Sequence, residues 1–143
     1  CDGASRRFDE LTESMKQKQA QLERISEMRT HIVSFAKTKA IYDEYRKSGY
    51  SRKFFEEHRE EILLHKAAKE FFNSLQLSKL PKVKDLSEEY GQILAEKKKE
   101  YAEYKEIKSQ MQDYLIAKQN IEAMLKSEEQ AKEENREKQE KQK

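Results

Sequence analysis

Glycine and proline are almost absent from this sequence, three and one respectively in 143 residues. A compact α/β enzyme or a β-sandwich turns its chain many times, and turns draw on Gly, Pro, Asn and Asp for conformations that other residues resist. Four breakers of this kind cannot supply them, so both classes are excluded. Tryptophan is missing and Cys1 is the sole cysteine. An intramolecular disulfide is therefore impossible and a cysteine-ligated zinc site implausible, which suits a reducing cytoplasm. No run approaches the ~20 consecutive apolar residues of a bilayer-spanning helix, and no apolar signal segment opens the chain. The expectation is a soluble, cytoplasmic chain with no membrane partner. A start at Cys1-Asp2-Gly3, without Met, reads as a piece excised from a longer protein or as added residues, so the parent's main activity is expected outside this window.

What is present is charge: 41% of residues are Asp, Glu, Lys or Arg, against roughly 25% in an ordinary domain. Thirty basic residues oppose twenty-eight acidic ones, a net charge of +2, so the whole-chain charge points to no partner and only local patches can. Abundant Glu, Lys, Gln and Leu with few breakers is the composition of long helices with charged exposed faces. The class is all-α.

Apolar residues recur at helical spacing at Phe8, Leu11, Met15, Leu22, Ile25, Met28, Ile32, Phe35, Tyr42 and Tyr45, one stripe of a long helix over about 5–48. Lys18 and Lys39 interrupt it, their stems expected to lie along the seam with the ammonium in water. Ser48-Gly49 ends it, with Gly49 in the left-handed position and Arg46 and Lys47 complementing the helix dipole. Ser51 is the N-cap of a second helix over about 52–74, whose apolar face is Phe54, Phe55, Ile62, Leu63, Ala67, Ala68, Phe71 and Phe72. Residues 73–82 hold the only proline and form a connector, which Leu75, Leu77 and Leu80 are expected to pin to the core.

The third helix, about 83–126, shows heptads in two rows: Leu86, Ile93, Glu100, Ile107, Tyr114, Ile121 and Tyr90, Lys97, Tyr104, Met111, Lys118, Leu125. That is a coiled-coil pattern. Residues 127–143 have no face to bury and are expected to be a charged helical extension or frayed tail. The first and third helices, each about 43 residues and ~65 Å long, suit an antiparallel coiled-coil hairpin with the shorter middle helix packed at the bend, within one domain over 1–126. The competing arrangement folds the middle helix straight back and leaves the long helices parallel and staggered. Dimerisation could also cover either stripe.

Sites for chemistry are scarce. His31 stands alone, His58 and His65 are seven apart, and Glu61 with His65 is an i, i+4 pair that lacks the further ligands a metal needs. Tyr42, Tyr45, Tyr90, Tyr101, Tyr104 and Tyr114 lie at or near seam positions, where a half-buried ring with a wet hydroxyl is the usual role. No glycine-rich phosphate loop or nucleophile elbow exists. The expectation is no enzyme activity, no catalytic residue, no metal, no cofactor and no small-molecule ligand. The basic residues are more informative. Between 37 and 53, Lys37, Lys39, Arg46, Lys47, Arg52 and Lys53 oppose Asp43 and Glu44, a local excess of 6 − 2 = +4. Lys79, Lys82 and Lys84 add three in and beside the connector, expected near the same bend. There a phosphate backbone could dock with Tyr50 stacking on an unpaired base; the bland alternative is a solvated helix end. Lys97-Lys98-Lys99 is flanked by Glu96 and Glu100 and reads as intrahelical pairing.

The run Lys39-Ala40-Ile41-Tyr42-Asp43-Glu44-Tyr45-Arg46-Lys47-Ser48-Gly49-Tyr50-Ser51-Arg52-Lys53-Phe54-Phe55 resembles a segment of relaxases, the mobilization nucleases of bacterial conjugative and mobilizable elements. The resemblance continues through Glu57-His58-Arg59, "ILLHKAAKEFF" of Ile62 to Phe72, "KLPKVKDL" of Lys79 to Leu86 and "YGQILAEKKKEYAEY" of Tyr90 to Tyr104. It covers about 30–125 and corresponds to the region C-terminal to the nuclease domain. Relaxases nick one strand with a tyrosine and a histidine-held metal in an N-terminal domain; no such histidine cluster is here, so the resemblance carries over no catalytic or metal role. It implies a bacterial, non-catalytic helical appendage whose partners are transfer-origin DNA, accessory or transfer-machinery proteins, or a second copy in a homodimer. The alternative is a structural spacer or dimerisation rod without DNA contact.

Overall fold

The computed structural model describes residues 2–141. Every regular element among them is helical: α1 (Asp2–Lys47), α2 (Arg52–Glu57), α3 (Arg59–Ser74) and α4 (Val83–Lys141). No helix is long and apolar enough to cross a membrane among these residues. Cys1 and the last two residues of the charged tail lie outside the described residues. The chain divides into two compact units, one of residues 16–98 and one of residues 1–15 with 99–143.

In the unit of residues 16–98, α1 has two neighbours in succession. Its final part packs on α2 and α3: His31 stacks on Phe71 at 4.2 Å, Phe35 meets His65 at 4.5 Å and Phe72 at 5.7 Å, and Tyr45 lies about 6 Å from Phe54 and Phe55. Its earlier part packs on α4, where Arg29 bonds Ser87 and covers the Tyr90 ring, and Lys97 bonds Gln19. The core is Leu22, Ile25, Tyr45, Ile62, Ala68, Phe72 and Leu86, with Thr38 and His65 buried among them. Burial of such side chains, ~1.5–3 kcal/mol each, is what holds long helices of high charge together.

In the other unit, Phe8 stacks on Tyr104 at 4.7 Å, Leu11 is buried, and Ser14 donates to Glu100. Arg7 donates through Nε and Nη2 to both carboxylate oxygens of Glu103, at 2.8 and 2.9 Å, and this holds the Glu103 carboxyl below its ordinary pKa. The pair is exposed and adds little to stability.

Several expectations need correction. The middle helix is two helices, interrupted at His58 (φ −127°, ψ 31°), and it does not stop at the bend: α3 lies alongside α1 back to His31. The buried face of α3 is Ile62, His65, Ala68 and Phe72, while Leu63 and Ala67 are exposed. Thr38, not Lys39, fills the seam. A lysine head must reach water, whereas the Thr38 hydroxyl bonds the Ser34 carbonyl of its own helix at 2.7 Å and so tolerates burial. Leu75 and Leu77 do not pin the connector. They are exposed, on either side of Gln76, which is left-handed at φ 53°, and of the three only Leu80 is half-buried. Of the two alternatives for the charged stretch after 126, the described residues form the helical extension: α4 runs unbroken from Val83 to Lys141. Without Gly or Pro after Gly91, and with Glu and Lys at helical spacing, nothing stops it at 126.

Candidate functional site

The bend between α1 and α2 is built by local rules. The Tyr50 N–H donates to the Tyr45 carbonyl and the Gly49 N–H to the Arg46 carbonyl, both at 3.0 Å. That crossed pair is the Schellman closure of a helix, which needs a left-handed residue, and Gly49 sits at φ 71°. The hydrophobic contact that accompanies the motif is Tyr50 against Tyr45, ring centroids 5.3 Å apart and nearly perpendicular. Tyr50 is itself left-handed, at φ 61°. The Ser51 side chain then caps α2 by accepting from the Phe54 N–H at 3.3 Å, and the Ser51 N–H donates to Ser48 Oγ.

This turn gathers four of the expected cations. Arg46 and Lys47 leave α1, Arg52 and Lys53 enter α2, and all four are exposed. Among the described residues none of them forms a salt bridge. Asp43, Arg46, Lys47 and Tyr50 line one open hollow, and Arg52, Lys53, Glu56 and Glu57 line another. Tyr50, 58% exposed, leaves ring area open beside the first. Glu56 and Glu57 reduce the local excess: over residues 37–57 it is 6 − 4 = +2.

The remaining basic residues divide. Lys39 is seven residues before Arg46 and shares its side of α1, whereas Lys37 lies half a turn round the helix from Arg46. Lys79, Lys82 and Lys84 do not join the bend. Val83, the first residue of α4, lines a hollow with Ser26, Arg29, Thr30, Val33 and Ser34 of α1, so the connector ends beside that part of the helix. The fifteen helical steps from His31 to Arg46 span about 22 Å at ~1.5 Å each. The reason is the length of α3, which carries the chain back along α1 before the connector begins.

The histidines occupy aromatic contacts: His31 on Phe71, His58 on Phe54 at 4.5 Å, and His65 between Phe35 and Tyr42 at 4.5 and 4.3 Å. No group of three or more His, Cys, Asp or Glu able to hold a metal occurs among the described residues. The tyrosines are not uniform: Tyr45 is buried, Tyr42, Tyr90 and Tyr104 are half-buried, and Tyr101 and Tyr114 are exposed, against the expectation of seam positions.

His65 is the polar centre that apolar patterning missed. It is buried, with Nδ1 3.0 Å from Thr38 Oγ1. A hydroxyl has one hydrogen; when Thr38 gives it to the Ser34 carbonyl, Nδ1–H is the donor to Oγ1. Burial lowers the imidazole pKa, and Lys69 and Lys39 lower it further, against the opposing pull of Asp43 and a backbone hydrogen bond with Phe35. The signal for it was available in the period: His65 falls between Ile62 and Ala68 on one face, and Thr38 between Phe35 and Tyr42.

No protein-family model matches this chain, and comparison with curated proteins and with solved structures finds no match.

Proposed function

We propose that this chain is a non-catalytic accessory helical module of a bacterial DNA-mobilization relaxase, acting in the cytoplasm by holding transfer-origin DNA at the α1–α2 bend. The observation that carries the reading is the gathering of Arg46, Lys47, Arg52 and Lys53 around the exposed Tyr50, with no carboxylate among the described residues in salt-bridge range of any of the four. Unpaired cations are what a phosphate backbone displaces counterions onto, and an exposed ring is what an unstacked base covers. The resemblance of residues 39–55 to a relaxase segment supplies the setting. Lys39 lies on the same side as Arg46 and belongs to this surface, while Lys37, Lys79, Lys82 and Lys84 are peripheral to it.

The architecture in this reading is an antiparallel hairpin. Partners on α1 rise from Arg7 to Ser14 as those on α4 fall from Glu103 to Glu100, and rise from Gln19 to Arg29 as those on α4 fall from Lys97 to Ser87. Its exposed faces offer docking area to accessory or transfer-machinery proteins.

The test is fluorescence anisotropy of the chain with single- and double-stranded transfer-origin DNA across a salt series, alongside a variant carrying Arg46→Gln, Lys47→Gln, Arg52→Gln and Lys53→Gln. The expected result is binding whose log–log salt slope is shallower in the variant by about 3, at roughly 0.7–0.9 per phosphate contact. Absence of binding near 0.1 M salt, or equal slopes, overturns the DNA reading and leaves a protein-binding or spacer helix pair.

A further inference from the structure

Two lysines outside the bend stand over aromatic rings of neighbouring helices. On α3, Lys66 and Lys69 each follow a buried residue, His65 and Ala68, so they emerge at the edge of the face packed on α1. Lys66 Nζ lies 5.8 Å from the ring centroid of Tyr45 and 5.9 Å from that of Phe55, and Lys69 Nζ lies 5.8 Å from that of Tyr42. Tyr42 and Tyr45 belong to α1 and Phe55 to α2, so both ammonium groups reach across the groove from α3. Lys39 stands on the α1 side. It shares its side of that helix with Arg46, and both it and Lys69 act on the buried His65 ring, lowering its pKa. Lys39, Lys66 and Lys69 are exposed, and among the described residues none of the three forms a salt bridge. Asp43, half-buried, and Glu70, which lines a hollow with Lys66 and Lys69, oppose them. Against Lys39, Arg46, Lys66 and Lys69 these carboxylates leave an excess of 4 − 2 = +2.

Building on the reading of the bend as a DNA site, we propose that the bound backbone continues along the groove between α1 and α3, its phosphates held by Lys39 from one helix and by Lys66 and Lys69 from the other. The cations are continuous with the bend. Because α3 returns along α1, Lys66, over Tyr45 and Phe55, stands beside the end of α1, Lys69 follows over Tyr42, and Lys39 lies beyond it. Six helical steps from Tyr45 to Lys39 cover about 9 Å at ~1.5 Å each. A DNA strand presents one phosphate per ~3.4 Å of axis, so this stretch matches about three phosphates, one for each lysine. The rings also prepare the lysines. An ammonium resting over a ring keeps its outer side in water and loses less freedom on meeting a phosphate than an unsupported side chain does. An acidic protein segment would meet the same charges, but Tyr45 is buried and Tyr42 half-buried, so these rings offer it no open aromatic anchor of the kind that dominates protein interfaces.

The test repeats the anisotropy salt series with a variant carrying Lys39→Gln, Lys66→Gln and Lys69→Gln, each at an exposed position. Its log–log slope is expected to be shallower than the parent's by about 2–3, at roughly 0.7–0.9 per phosphate contact. Two further variants separate contact from packing and from net charge. Lys39→Arg, Lys66→Arg and Lys69→Arg together keep the charges and the cover over the rings, and the parent slope is expected. Lys126→Gln, Lys132→Gln and Lys138→Gln together remove equal charge from exposed positions of α4, and again the parent slope is expected. A parent slope in the groove's triple-Gln variant, with the slope still reduced in the bend variant, overturns this proposal alone and leaves the groove to an acidic protein segment. Equal loss of slope in the Arg variant or in the α4 variant also overturns it. No binding by the parent near physiological salt overturns the reading of the bend and this proposal together.

Discussion

Two stretches of this chain have apolar residues at the same helical spacing and opposite fates. On α3, Ile62, Ala68 and Phe72 are buried against α1; on α4, Tyr114, Ile121 and Leu125 face solvent. Composition does not separate them, because both are amphipathic runs in a charged chain. The difference is where the facing helix is engaged. In the unit of residues 16–98, residues 31–45 of α1 pack on α2 and α3; in the other unit, no described residue lies over α4 beyond Met111. A helix period therefore states which face can be buried, and the course of the neighbouring chain decides whether it is.

The sharpest way to break this comparison is to make the same truncation in both stretches. Ile62 is 0% exposed, and Ile62→Ala removes buried methyl groups and leaves a cavity, at a cost of about 3 kcal/mol. Ile121→Ala, at a position 58% exposed, is expected to cost less than about 0.5 kcal/mol in dilute solution. Urea denaturation followed by circular dichroism at a few micromolar measures both. Comparable losses would mean that the α4 stripe is covered within a single chain.

The glycines give a smaller contrast with opposite signs. A Cβ built at Gly49 or at Gly91 meets nothing within 4 Å, so sterics with neighbours do not enter and only backbone conformation does. Gly49 holds φ 71° at the helix closure, and Gly49→Ala is expected to destabilise by about 1 kcal/mol, the cost of a left-handed residue with a Cβ. Gly91 is inside α4, where Gly91→Ala is expected to stabilise by about 0.5–1 kcal/mol. Thermal melts of the two variants should move to opposite sides of the parent. A shift of the same sign in both would refute the assignment of Gly49 to the αL position.

How much of this was legible in the sequence follows the range of the interaction. The α1 terminus, the left-handed Gly49 and the Ser51 cap depend on residues within a turn of one another, and their residue types announce them. The four cations of the bend are close in space because they are close in sequence, which is why Arg46 to Lys53 could be read and the placing of Lys79, Lys82 and Lys84 could not. That placing depends on α3 returning along α1, a tertiary fact. Thr38 and His65 were passed over because an apolar pattern treats polar residues as gaps, although each is buried through a partner of its own. Leu75 and Leu77 failed in the reverse sense: apolar residues in a connector face inward only if the backbone presents them there, and on either side of the left-handed Gln76 (φ 53°) they are exposed.

The smallest expected effect concerns the polar centre of the buried stretch, which has no counterpart beyond Met111. His65 has its pKa lowered by burial and by Lys69 and Lys39, with Asp43 and a backbone bond with Phe35 opposing. The folded chain thus disfavours the charged imidazole relative to the unfolded chain, whose histidine titrates near ~6.5. Between the two values the unfolded state binds more protons, so stability rises with pH there. The contribution is present in full above ~6.5 and is lost as the pH falls through the lower, folded value. His65→Phe keeps the stacking on Phe35 and Tyr42 and removes the titration, while the Thr38 hydroxyl retains the Ser34 carbonyl at 2.7 Å. Urea midpoints at about pH 7.5 and about pH 5, for the parent and the variant, isolate the term: the parent is expected to lose more on acidification than the variant does. Equal losses would place the acid sensitivity of the chain elsewhere and leave Thr38 and His65 as a packing pair alone.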